Sequence, residues 1–78
     1  MTRYFFHIWD GAEFIEDPEG VELPGVSEAR AEAVEAAREM IAEKIRRGQV
    51  PDGQAFHITR DDGEVVAKVK FRDAARLD

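Results

Sequence analysis

The stretch from Ser27 to Arg47, SEARAEAVEAAREMIAEKIRR, decides how the rest of the chain must be read. Val26, Ala29, Ala33, Val34, Ala37, Met40, Ile41 and Ile45 recur at three- and four-residue spacing, which puts them on one stripe of an α-helix. Ser27 stands where an N-cap is expected, and Glu28 suits the positive end of the helix dipole. Lys44, Arg46 and Arg47 fall in the last turn, followed by Gly48 at the position where glycine ends a helix. The stripe is rich in alanine, so the helix is expected to lie close against whatever it covers.

Outward from the helix, each flank reads as a hairpin. Arg3 to Trp9 (RYFFHIW) is dense in aromatic and β-favouring residues. Asp10-Gly11 follows, and Ala12 to Ile15 returns as a second strand, because glycine accepts the positive φ a tight turn requires. Glu16 to Gly20 is a turn, and Val21 to Leu23 a short extended piece stopped by Pro24-Gly25. Beyond the Gln49–Gly53 connection, Ala55 to Arg60 and Glu64 to Phe71 form the other hairpin around Asp61-Asp62-Gly63. The expectation is a single α+β domain over residues 1–78 in the order β-β-α-β-β. Its four-stranded antiparallel sheet has the order 2-1-3-4, with one long helix on one face. Residues 72–78 are expected to fray as a polar tail.

Period-two alternation sorts the strands into two faces. Tyr4, Phe6, Ile8, Phe56, Ile58, Val65, Ala67, Val69 and Phe71 are assigned to the helix. Phe5, His7, Trp9, His57 and Val66 fall on the opposite face, with Thr59, Lys68 and Lys70. The Arg3–Trp9 strand is apolar on both faces and is therefore placed inside the sheet. A 20-residue helix runs roughly 30 Å, whereas a seven-residue strand spans about 23 Å, so one helix end should overhang.

Composition narrows the function classes. The chain has 78 residues, 44% of them hydrophobic, a net charge of −6 and a pI near 4.8. Such a balance argues against sequence-independent nucleic-acid binding, which rests on phosphate neutralisation. Without cysteine there is no disulfide framework, thiolate zinc site or cysteine nucleophile. No apolar h-region opens the chain and no run approaches 18 apolar residues, so no membrane association is expected and a cytoplasmic setting is. A chain this short buries only roughly 60% of its unfolded surface, so association would help stabilise it.

The pattern as a whole resembles a family of short uncharacterised bacterial proteins. Tyr4-Phe5-Phe6-His7, Asp10-Gly11, Asp17-Pro18-Glu19-Gly20-Val21-Glu22-Leu23-Pro24, the alanine-rich helix and Phe71-Arg72-Asp73-Ala74 carry the resemblance. It spans nearly the whole chain and implies a small domain of unknown function, with no catalytic residues, ligand or partner to transfer.

Few constellations carry chemistry. His7 and His57 have equivalent parity in strands expected to be neighbours, so their imidazoles could meet, with Asp10 or Glu13 completing a metal site. Two half-buried sheet histidines packed on Phe5 and Trp9 explain the same residues. The acidic run Glu13 to Glu22 lacks the ligand register of a calcium loop and reads as a solvated loop. Ser27, the one serine, is accounted for as a cap, and the glycines fall singly, so neither a nucleophilic triad nor a phosphate cradle is present. No catalysis and no cofactor are expected. Phe5, His7 and Trp9 could stack bases beside Arg3, Lys68, Lys70 and Arg72, but a single helix and the acidic balance oppose a nucleic-acid platform. What remains is the second sheet face, where Phe5, His7, Trp9, His57 and Val66 would form an interface patch for a homo-oligomer or another protein, unless the tail or the Glu16–Gly25 segment, both polar, folds over it. The alternative is a small ligand- or metal-binding protein using His7 and His57.

Overall fold

The strand β1 (Thr2–Asp10) is the one on which the sheet is built. The computed structural model describes residues 1–49 and 53–75, so residues 50–52 of the expected connection and 76–78 of the expected tail lie outside the described residues. β2 (Glu13–Ile15) returns antiparallel along β1, pairing Trp9 with Phe14 and Asp10 with Glu13. This leaves Gly11-Ala12 as a two-residue loop. Gly11 has φ +62° and no non-glycine described residue has a positive φ, the backbone of a type II′ turn with glycine first.

β2 covers only one end of β1. β3 (Val21–Leu23) covers the other end of the same edge, pairing Thr2 with Leu23 and Tyr4 with Val21. The sheet is thus five-stranded where four strands are expected, because the short extended piece before Pro24 supplies partners for backbone groups that β2 does not reach. On the other side of β1 lies β4 (Gln54–Arg60), and then β5 (Val65–Lys70), all antiparallel. The order β2-β1-β4-β5 matches the expected one, with β3 in line beside β2.

The helix α1 (Val26–Arg46) covers one face of this sheet. Ala29, Ala33, Ala37 and Ile41 are its buried residues, and Tyr4, Phe56, Ile58, Ala67 and Val69 meet them from the strands. Its 21 residues extend roughly 31 Å. Ile45, expected on the stripe, is 61% exposed near the far end of the helix. One further expectation changes in detail. The N-cap is Gly25, with no side-chain cap, and Ser27 lies inside the first turn. Gly48 does end the helix: it has φ +77°, and the Gln49 N–H donates to Lys44 O at 2.8 Å, closing a Schellman motif.

β5 ends one residue earlier than expected, and Phe71–Ala74 turns into a short helix, α2. Phe71 is fully buried and Ala74 is 4% exposed, so the beginning of the expected tail is part of the core. The Arg38 guanidinium fastens it, its Nε–H donating to Ala74 O at 2.8 Å.

Candidate functional site

Alternation along β1 sends Phe5, His7 and Trp9 to the face that α1 leaves uncovered. Register places His57 directly opposite His7, and Phe14 directly opposite Trp9. The rings form a continuous ladder. Phe5 stacks on His7 with centroids 6.1 Å apart, His7 meets Phe14 at 5.3 Å, Phe14 meets Trp9 at 4.9 Å, and Trp9 meets His57 at 6.2 Å. These separations lie in the range in which aromatic pairs attract. Trp9 is 37% and Phe14 46% exposed.

Val66 does not belong to this face. The β4–β5 ladder pairs Ile58 with Ala67 and Thr59 with Val65, so a bulge inserts an extra residue at Val66. Val66 then packs against the core, and Val65, expected there, is 47% exposed opposite Thr59. Asp10 and Glu13 also part from the histidines. They pair with each other one residue out of phase with His7 and Trp9, hence on the other face, where Asp10 accepts a hydrogen bond from Gln54 Nε2 at 3.2 Å. Among the described residues no group of three or more His, Asp or Glu side chains is placed to hold a metal ion.

The acidic turn expected to be merely solvated instead clamps the sheet edge. Between the segments covered by β2 and β3, β1 has a gap at Phe5–His7. Asp17 fills it, accepting the Phe6 N–H on Oδ2 at 3.1 Å. Its Oδ1 accepts the Glu19 and Gly20 N–H groups, both at 3.2 Å, an Asx-type turn. Burial raises the Asp17 pKa, but the three N–H groups outweigh it and hold the carboxyl below its ordinary value. Gly20 has φ +72°, and a Cβ there would stand 2.9 Å from Tyr4 O, so only glycine fits.

The clamp also orients His7. Its Nδ1 accepts the Asp17 N–H at 3.0 Å, which leaves the proton on Nε2, 3.3 Å from Thr59 Oγ1. Both ring nitrogens are engaged, so metal ligation by His7 requires breaking one of these contacts. His57 carries a pKa below its ordinary value through burial first, then through Lys68 and His7.

Two residues escape the sequence reading. Phe14 follows from register, since a two-residue loop after Asp10 puts it opposite Trp9. The signal for Asp17 is the Asp-Pro-Glu-Gly turn itself, in which an aspartate carboxylate can cap its own loop.

A small two-layer α+β domain with an aromatic sheet face that no described helix covers and a carboxylate-clamped edge is the class of protein these features define. Residues 3–72 match the family described as Domain of unknown function (DUF6894), and the chain belongs to it. Comparison with curated proteins and with solved structures finds no match. Among the described residues no helix is long and apolar enough to cross a membrane.

Proposed function

We propose that this protein is a non-enzymatic interaction module that pairs with a second copy of itself through the open sheet face. The observation that carries the reading is the ladder Phe5–His7–Phe14–Trp9–His57, which α1 leaves uncovered and in which Trp9 and Phe14 are exposed while the Asp17–Gly20 turn borders Phe5 and His7. Apolar patches of this kind on small domains mark interfaces, and tryptophan and other aromatics dominate their energetics. Dimensions support a copy as the occupant. The molecule measures 37 × 29 × 16 Å, and a broad side of that size accommodates the roughly 800 Å² per partner of a standard interface. Face-to-face pairing would turn a two-layer domain into four layers, the helices outside, and would bury the surface that a chain of this length cannot cover alone.

Size-exclusion chromatography with light scattering, at two concentrations, tests it. Wild type is expected to run as a dimer at the higher concentration, and Trp9→Glu as a folded monomer at both. A wild type that stays monomeric throughout excludes self-association. Should Trp9→Glu unfold at every concentration, Trp9 is supporting the fold and not an interface.

A further inference from the structure

A second feature lies at the other end of the sheet. The outer edge of β5 and the flank of α1 bound a groove of about 420 Å³. Arg30, Val34 and Arg38 line it from one row of the helix, and Lys68 and Lys70 from the strand, with Val69 and Ala74 making the floor apolar. Arg30 and Arg38 flank this apolar strip on the α1 side, Asp73 adds one carboxylate to the lining, and Lys68 and Lys70 project from the opposite face of β5, on a chain of net charge −6. Arg38 is held by Ala74 O and stands 3.7 Å from Glu35. Among the described residues no carboxylate lies within ion-pair distance of Arg30, Lys68 or Lys70.

β5 is also the last strand of the sheet, so no described strand meets the N–H and C=O groups along its outer edge. An exposed strand edge of this kind is a template for a further strand.

We propose that the groove receives an extended acidic peptide segment of another protein, added antiparallel or parallel to β5 as a sixth strand. The spacings of the two elements fit. Arg30 and Arg38 are eight helical residues apart, about 12 Å, and strand side chains at i−2 and i+2 are about 13 Å apart on one face. An apolar residue at i then lies over Val34, and carboxylates at i−2 and i+2 reach the two arginines. Residues i−1 and i+1 point to the opposite face, beside Lys68 and Lys70. The preferred segment therefore reads acidic-acidic-apolar-acidic-acidic. A second copy is a poor occupant. Pairing β5 with β5 brings two sets of lysines together, and β2 at the opposite edge is only three residues long.

The probe is an end-blocked, fluorescein-labelled Thr-Glu-Glu-Val-Glu-Glu-Thr peptide, titrated against the full chain at low ionic strength and read by anisotropy. Hydrogen exchange followed by NMR reads the β5 amides in parallel. Wild type is expected to bind and to gain protection along Val65–Lys70. Arg30→Gln with Lys70→Gln should weaken binding about tenfold, the loss of two exposed ion pairs. A peptide N-methylated at alternate amides should fail to bind, and Phe14→Glu, on the strand farthest from β5, should bind as wild type does, which separates this groove from the aromatic ladder. The proposal is overturned if wild type does not bind the peptide. It is equally overturned if the N-methylated peptide or inorganic tripolyphosphate binds as tightly, or if Phe14→Glu abolishes binding.

Discussion

At Asp17 one carboxylate accepts three backbone N–H groups, from Phe6, Glu19 and Gly20, while its own N–H holds His7. Removing an acceptor from partly buried donors costs about 1–3 kcal/mol. Asp17→Ala should therefore destabilise the domain by that amount. Titration gives a sharper test. The folded carboxyl lies below its ordinary value of 3.8, so its contribution is present above 3.8 and is lost as pH falls through the folded value. His57, with a folded pKa below 6.5, acts at a higher pH: the unfolded chain takes up its proton first, so stability declines as pH drops from 6.5 through the folded value. Urea midpoints measured from neutral to acid pH should fall in these two windows. Asp17→Asn should flatten the lower one and His57→Gln the upper one. A profile unchanged by Asp17→Asn would show that the clamp is not formed in solution.

Between residues and the whole, the turns and the helix differ in what holds them. Gly11 and Gly20 both have positive φ, yet a Cβ on Gly11 would meet nothing within 4 Å, whereas one on Gly20 would strike Tyr4 O. Gly11→Ala should cost only the backbone strain of a positive φ, roughly 1–3 kcal/mol. Gly20→Ala should cost distinctly more, since the obstructing atom is backbone of the central strand and cannot rotate away. Thermal midpoints of the two variants give the order, and a Gly20→Ala protein as stable as Gly11→Ala would contradict the close approach. The helix offers a similar contrast. Ile41 is buried over the sheet and Ile45 is exposed. Ile41→Ala should cost about 2–5 kcal/mol, and Ile45→Ala under about 0.5 kcal/mol. Equal losses would mean that the stripe is rotated or that α1 does not overhang.

For the molecule as a whole, pairing through the open face makes stability depend on protein concentration, by mass action. The thermal midpoint of wild type should rise between dilute and concentrated solution. Phe14→Glu should remove that dependence while leaving the dilute midpoint nearly unchanged, because charge is excluded from interface cores and Phe14 is outside the domain core. A dependence that survives Phe14→Glu would move the contact elsewhere on the surface.

The features that the sequence by itself determined are ones whose cause is local: the helix from its three- and four-residue stripe, the hairpins from Asp10-Gly11 and Asp61-Asp62-Gly63, and the facing of Phe5, His7 and Trp9 from strict alternation. Only the tertiary structure decided what depends on partners distant in the chain. Val65 and Val66 exchange faces because a bulge against Thr59 breaks the alternation that period two assumes. Phe71–Ala74 folds into the core because Arg38 and the Phe56 ring wait there, neither of them adjacent in sequence. Asp17 becomes a clamp because β2 and β3 each stop short on the same edge of β1, leaving one backbone N–H whose burial requires an acceptor.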